Sequence, residues 1–237
     1  MNWCCISVWV NMNQIDNASL SASDKQSVYS AVVSTASPAR EIFDRVFAAA
    51  VLLFGFPFLV LVIAALFFSQ GSPVMFAHKR VGKNGKEFKC LKFRTMVVDA
   101  EERLAEHLAS NSEARAQWEN WRKLEDDPRV TCVGEFLRKT ALDELPQFIN
   151  VLRGEMSIVG PRPIVRDELK MYAQHAGAYL SVKPGITGLW QVEAKEIDTY
   201  EDRVALDMEY LQRRSFLFDL SLIMRTAVLV LKRGGSG

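Results

Sequence analysis

Residues 46–68 read VFAAAVLLFGFPFLVLVIAALFF, and this stretch constrains the chain more than any other. It holds 23 residues without a charge, enough for a helix to cross a bilayer core of about 30 Å. It begins too late, and its apolar run is too long, for a cleaved secretory signal. A helix from a soluble core would carry a polar stripe, and this one has none. Two details set it apart from a plain span. Gly55 and Pro57 fall at its middle, where a proline removes a backbone hydrogen bond and kinks a helix. Cations also flank it on both sides, Arg40 and Arg45 before it and Lys79, Arg80, Lys83, Lys86 and Lys89 after it. Positive flanks favour the cytoplasmic side. The expectation is a helix over residues 40–70 that enters the membrane, breaks at Pro57 and returns. A span with its N-terminus outside is the alternative, because the downstream flank is the more basic.

The formal net charge is +1. That excludes the global basic field of a nucleic-acid binder, so any affinity for anions must come from local clusters. The cysteines, Cys4, Cys5, Cys90 and Cys132, form no CxxC pair, and no histidine stands at zinc-ligand spacing. Neither a disulfide framework nor a zinc site is expected, and a reducing compartment fits. Residues 1–39 are polar, rich in Ser and Asn, and read as a poorly ordered tail; the short apolar MNWCCISVWV receives no function.

From Pro73 the chain changes character. VMFAHKRVG and KEFKCLKFRTM read as a hairpin turning at residues 83–85. Residues 97–123 read as an amphipathic helix with Leu104, Leu108 and Trp118 among its apolar positions, broken by Pro128 in DDPRVT. LDELPQFINVLRG carries Leu142, Leu145, Ile149 and Leu152 at helical spacing, with Gly154 as its stop. GPRP must be a stiff loop presenting Arg162. DELKMYAQHAGAYL reads as a helix, VKPGITGLWQV as a loop holding Trp190, and TYEDRVALDMEYLQRR as a helix. FLFDLSLIMRTAVLVLK reads as an apolar helix that docks on the core or lies against the membrane. The class is α+β.

Asp143 and Glu144 in TALDELPQF raise a chemical question, because adjacent like charges need compensation. One reading is a capping box with Thr140 as N-cap and Asp143 closing it. It leaves Glu144 unexplained, since neighbouring helical side chains diverge by about 100°. The other reading is functional. An ionised carboxylate attacks a phosphoryl group and a second holds Mg²⁺, which neutralises phosphate oxygens. Lys92, Arg94, Arg138, Lys139 and Arg162 are candidate cations around such a site.

The motifs KFRTM, DPRVT, LRKTALDELPQFINVLRGEMSIVGPRP and KPGITGLWQV, in this order, resemble the bacterial sugar transferases, the monotopic polyprenyl-phosphate hexose-1-phosphate transferases. The likeness runs from about residue 40 to the C-terminus, nearest to the exopolysaccharide-initiating, undecaprenyl-phosphate galactose-phosphotransferase type. It implies a monotopic protein with one re-entrant helix, a small hairpin or sheet, several interfacial amphipathic helices and a catalytic domain over residues 71–237. That domain would lie on the cytoplasmic leaflet of the inner membrane. The resemblance further implies a UDP-sugar donor, an undecaprenyl phosphate acceptor, Mg²⁺ as cofactor, and other polysaccharide assembly enzymes as partners. By the same resemblance Asp143 is the nucleophile, Glu144 the Mg²⁺ ligand and Arg138 a further catalytic residue. Lys92, Arg94, Pro161, Arg162, Pro163 and Asp207 would bind substrate, and Pro57 would break the membrane helix. The chain departs from the family pattern at Phe56 and Ala141, where serine is usual, and at Glu193-Ala194-Lys195, where a small residue, Gly and Arg are usual. A lipid diphosphatase using water as acceptor, and a non-catalytic assembly scaffold, are the rival readings.

Overall fold

A computed structural model describes residues 38–234 apart from 122–123, 125 and 194–198. The N-terminal tail expected over residues 1–39 lies almost wholly outside the described residues. Helix α1 runs Pro38–Gln70, opened by a proline at a position that needs no backbone donor, with Pro57 inside it. It runs as one helix through Pro57, so the break expected at that residue does not appear as an interruption of the helix. Its buried residues, Asp44, Ala48, Val62 and Leu66, fall at helical repeats and trace one stripe. Most of the rest is bare hydrocarbon: Phe54 is 82% exposed and Phe68 86%. A helix so apolar and so uncovered has no place in a water-soluble surface.

Both ends of α1 are fastened to the same body. At its start Arg40 Nε meets Asp219 Oδ2 at 2.7 Å, Lys183 Nζ donates to Glu41 Oε1 at 2.9 Å, and Ser157 Oγ donates to Asp44 Oδ2 at 2.6 Å. At its end Gln70 Nε2 donates to the Arg94 carbonyl at 3.1 Å. Arg94 Nη2 returns bonds to the carbonyls of Gln70 and Gly71 at 2.5 and 2.9 Å.

The hairpin forms as the alternation predicts. Strands β1 (Met75–Val81) and β2 (Glu87–Phe93) pair antiparallel, with Phe76 opposite Lys92, His78 opposite Cys90 and Arg80 opposite Phe88. The turn at Lys83–Gly85 uses left-handed Asn84 and Gly85. The single helix expected over residues 97–123 is instead two, α2 (Ala100–Ser110) and α3 (Ser112–Trp121). Asn111 divides them, its backbone extended and its Oδ1 accepting from the amides of Glu113 and Ala114 at 3.0 Å each.

Helix α4 (Cys132–Lys139) leads through a 3-10 turn at Leu142–Glu144 into α5 (Gln147–Leu152), and Gly154, at φ 76°, stops it as expected. DELKMYAQHAGAYL is not one helix. A 3-10 stretch at Glu168–His175 is interrupted by Ala173, at φ 44°, before α6 (Ala176–Leu180) begins. VKPGITGLWQV is more ordered than a loop. Strand β3 (Ser157–Val159) pairs in parallel with β4 (Gly185–Thr187), and the short α7 (Leu189–Val192) follows. Gly160 and Gly185 are required there, because a Cβ on Gly185 would lie 2.1 Å from the Gly160 nitrogen.

Helix α8 (Tyr200–Arg213) starts with a full capping box between Thr199 and Asp202. Helix α9 (Phe216–Gly234) buries Leu222 and Asp219 while exposing Leu217, Met224 and Leu231. The main core gathers Ile158, Ile164, Tyr172, Tyr179 and Tyr210. A second cluster packs Val62 and Leu66 of α1 on Phe93 and Leu137. The coarse α+β expectation holds in a mostly helical body with two small sheets.

Candidate active site

The acid pair is positioned by the way α4 ends. Thr131 caps its start, accepting from the Gly134 amide at 3.0 Å. Gly134 lies so close to Thr95 that a Cβ would sit 2.1 Å from its carbonyl oxygen. One turn on, Arg138 therefore lands beside the same residue, and its Nε donates to Thr95 Oγ1 at 2.9 Å. The capping-box reading of Thr140 and Asp143 is corrected here. Thr140 is the C-cap of α4, and its hydroxyl donates back to the Phe136 carbonyl at 2.7 Å. That leaves no cap for the acid turn. Ala141 then reverses the chain at φ 55° and ψ 17°, a left-handed conformation that costs an alanine about 1–2 kcal/mol. The turn delivers Asp143 to a buried position, at 8% exposure.

From the other side β2 brings Lys92. Its Nζ lies 2.6 Å from Glu144 Oε1 and 3.7 Å from Asp143 Oδ2, so one ammonium compensates both acids. Burial pulls the Lys92 ammonium down, but Glu144 and Asp143 outweigh it and hold its pKa above the ordinary value. Burial pushes the Asp143 carboxyl up, Glu144 adds to this, and Lys92 and Arg138 oppose it. The strand itself is held by Asn150, a fully buried residue whose role sequence reasoning missed. Its Oδ1 accepts from Leu91 N at 3.0 Å, and its Nδ2 donates to the Lys89 carbonyl at 2.8 Å and to Glu155 Oε2 at 2.6 Å. A polar residue at a helical core position, in INVLRG, was the available signal.

The structure thus joins Asp143, Glu144, Lys92 and Arg138. Arg94 belongs elsewhere, with its guanidinium on the last turn of α1. Lys139 pairs with Glu135 in solvent at 2.9 Å. Pro161, Arg162, Pro163 and Asp207 form a second cluster. Asp207, read from sequence as a site residue or an exposed helix charge, is buried. Tyr172 Oη donates to its Oδ2 at 2.6 Å, and burial pushes its carboxyl up to about 7. Arg162 lies over the Trp190 ring at 5.2 Å. Cys90, on β2, feels charges from both clusters, and burial raises its thiol to about 11. Of the altered 193–195 loop, Glu193 meets Arg225 at 3.3 Å, and Ala194 and Lys195 lie outside the described residues.

The acid pair suits a hard cation. Mg²⁺ is held in such sites by one or two carboxylates together with substrate phosphates and water. Glu144 could supply such an oxygen, and Lys92 marks where positive charge is stabilised beside it. Among the described residues no group of three His, Cys, Asp or Glu could hold a metal by protein ligands alone.

A membrane-type helix stands beside an acid pair, buried Asp143 and half-buried Glu144, compensated by Lys92 and Arg138. Residues 35–233 fit the family described as bacterial sugar transferase, and the chain belongs to it. Among individual proteins it is similar to the exopolysaccharide production protein ExoY of Rhizobium meliloti (strain 1021). The two are 46% identical over 198 residues, covering 84% of this chain and 88% of that protein. An undecaprenyl-phosphate galactose phosphotransferase of Salmonella typhimurium is 50% identical over 167 residues, which is 70% of this chain and 35% of that protein. A UDP-glucose:undecaprenyl-phosphate glucose-1-phosphate transferase of Escherichia coli (strain K12) is 40% identical over 191 residues, 77% of this chain and 38% of that protein.

Proposed function

We propose that this protein transfers a hexose-1-phosphate from a UDP-sugar to undecaprenyl phosphate, the first step of an exopolysaccharide. The observation that carries the reading is the convergence of buried Asp143 with Glu144, Lys92 and Arg138 at the foot of an apolar helix. The Asp143 carboxylate attacks the phosphorus bonded to the sugar. An oxygen–phosphorus bond forms, the bond to UMP breaks, and UMP leaves with its electron pair. The phosphate oxygen of undecaprenyl phosphate then attacks the same phosphorus, freeing the carboxylate and giving an undecaprenyl diphosphate sugar. Lys92 keeps Asp143 ionised against burial and its acidic neighbour. Arg138 adds fixed positive charge where the phosphoryl group gathers negative charge. Glu144 would hold Mg²⁺, which would supply neutralisation of the phosphate oxygens when bound. Galactose and glucose are the sugars named for the relatives.

The anchoring of α1 supports a monotopic arrangement. A spanning helix needs its ends on opposite sides of a core about 30 Å thick. Here both ends hold the same body, which favours a helix that dips into one leaflet, with the bare segment around Phe54 and Pro57 in the lipid. With a dissolved nucleotide donor, that leaflet is the cytoplasmic one. The site then sits where a water-borne substrate and a lipid headgroup can both reach it.

The test supplies membranes with a panel of UDP-sugars, Mg²⁺ and undecaprenyl phosphate, and follows UMP and lipid-phase label for wild type and Asp143→Asn. UMP release with labelled lipid, abolished in the variant, is expected, with ping-pong kinetics. Released sugar phosphate without labelled lipid would replace the transferase by a hydrolase. Full activity in Asp143→Asn would end the covalent mechanism.

A further inference from the structure

The acid pair meets one face of the hairpin, and that face is covered unevenly. Directly opposite residues of an antiparallel pair point to the same side, so Phe76 stands with Lys92, His78 with Cys90 and Arg80 with Phe88. Phe88 and Cys90 are buried in the main core. Phe76, toward the other end, is 51% exposed, and His78 is exposed beside it. Their rings stack, with centroids 5.9 Å apart and planes 19° from parallel. Phe76 is therefore the side chain directly across the strands from the ammonium that meets both Glu144 and Asp143. Nothing in the chemistry of Asp143, Glu144, Lys92 and Arg138 uses an apolar ring.

Ligand sites combine aromatic walls with a few polar groups that fix orientation. The phosphorus that Asp143 attacks is bonded to UMP on one side and to the sugar on the other. A hexose carries C–H groups on a ring face and hydroxyls around its edge. The face of a phenyl ring is electron-rich and attracts positively polarised C–H groups. His78 suits the edge. Burial, and then Arg80, pull its imidazole below the ordinary pKa against the pull of Glu168, so at neutral pH the ring is uncharged. A neutral imidazole donates from one nitrogen and accepts at the other, which serves a hydroxyl in either sense. The acceptor's polyprenyl chain offers only hydrocarbon to such a pair. On α1, Leu53, Phe54 and Leu61 are bare within an uncharged run, whereas Phe76 shares its face with His78 and Lys92.

Resting on the transferase reading, we propose that Phe76 and His78 form the wall that holds the donor's sugar, Phe76 stacking on the C–H face of the hexose and His78 bonding a hydroxyl at its edge. Lys92 and the acids meet the phosphate at the end of this wall. The two rings orient the sugar and take no part in making or breaking bonds.

The experiment follows both half-reactions with the full-length protein in nanodiscs, for wild type, Phe76→Leu, Phe76→Tyr and His78→Leu. Donors are a panel of UDP-hexoses that includes galactose and glucose. UMP binding is measured in parallel, as the same nucleotide without the hexose. Loss of the stacking face in Phe76→Leu should lower donor kcat/KM by about three- to tenfold and leave UMP binding as in wild type. Phe76→Tyr keeps the ring and should retain the wild-type value. His78→Leu should cost a few-fold and change the preference among the hexoses, which differ in the orientation of their hydroxyls. Unfolding midpoints equal to wild type separate these effects from folding. UMP binding weakened as much as donor kcat/KM would place the rings on the nucleotide and overturn the proposal. A loss confined to the undecaprenyl phosphate half-reaction would place them on the acceptor, and unchanged kinetics in Phe76→Leu and His78→Leu would take them out of the site; either overturns it. In each of these cases an active wild type leaves the transferase reading standing. A wild type that transfers from no UDP-sugar would overturn both.

Discussion

Replacing Lys92 with methionine keeps the length of the stem and removes the one cation shared by both acids. Two unit charges about 4 Å apart interact by about 4 kcal/mol at an effective dielectric near 20. Lys92 Nζ and Asp143 Oδ2 are 3.7 Å apart, but the lysine side chain is 36% exposed, so water screens part of this. Halving it leaves about 2 kcal/mol, or about a thirtyfold change in the ratio of ionised to protonated Asp143. The sign follows from the site. Burial and Glu144 already push the Asp143 carboxyl up while Lys92 opposes them, so its removal pushes Asp143 further up. A reaction that needs the carboxylate then loses rate on the acid side first. Initial rates of UMP release, followed from about pH 5 to about pH 9, should show the acid limb displaced toward alkaline pH, with much of the rate returning above it. Superposed acid limbs, or a limb displaced toward acid, would refute the assignment of Lys92 as the charge that keeps Asp143 ionised.

Three further outcomes follow from the same geometry. Gly134→Ala forces a Cβ onto the Thr95 carbonyl, so it should destabilise the fold by about 1–3 kcal/mol in denaturant unfolding and lower activity by moving Arg138. Asn150→Ala removes three hydrogen bonds between α5 and its neighbours, at about 1 kcal/mol each, and hydrogen exchange at the Leu91 amide should speed up. Asp207 has a folded pKa raised to about 7 against about 3.9 unfolded, so its stabilising share is complete below about pH 4 and is lost as pH rises through about 7. Unfolding midpoints of wild type should therefore fall over that window, and Asp207→Asn should flatten the slope.

Much of this was legible in the chain because the signals were local. Alternating residues and a Gly-bearing turn define the hairpin, and the uncharged run from Val46 to Phe68 defines α1. Where the reading failed, a side chain had two local partners to choose between. Thr140 could cap forward or bond backward, and it bonds backward to Phe136 because the left-handed Ala141 turns the chain away. Asn111 sits inside a helical pattern, yet its amide oxygen satisfies the next helix and splits the pattern in two. Ala173 at positive φ breaks a good helical sequence. The site divides along the same line. Asp143, Glu144, Lys92 and Arg138 were visible as charges needing compensation. Asn150 and the hold of Arg94 on α1 depend on contacts across 59 and 24 residues of chain, which no short window contains.

The double fastening of α1 bears on how this enzyme can be trimmed. Cutting the chain after Gly71 to obtain a water-soluble fragment would strip the Arg94 guanidinium, the Ser157 hydroxyl and Lys183 of these partners together, and would take Arg40 from Asp219, which keeps the Tyr210 hydroxyl. It would also leave Phe93 and Leu137 without Val62 and Leu66. Each orphaned buried polar group costs about 1–3 kcal/mol, against a total stability of about 5–15 kcal/mol for a domain. The greasy helix is therefore a structural wall of the catalytic body as well as its tether, and removing it to gain solubility would dismantle the enzyme.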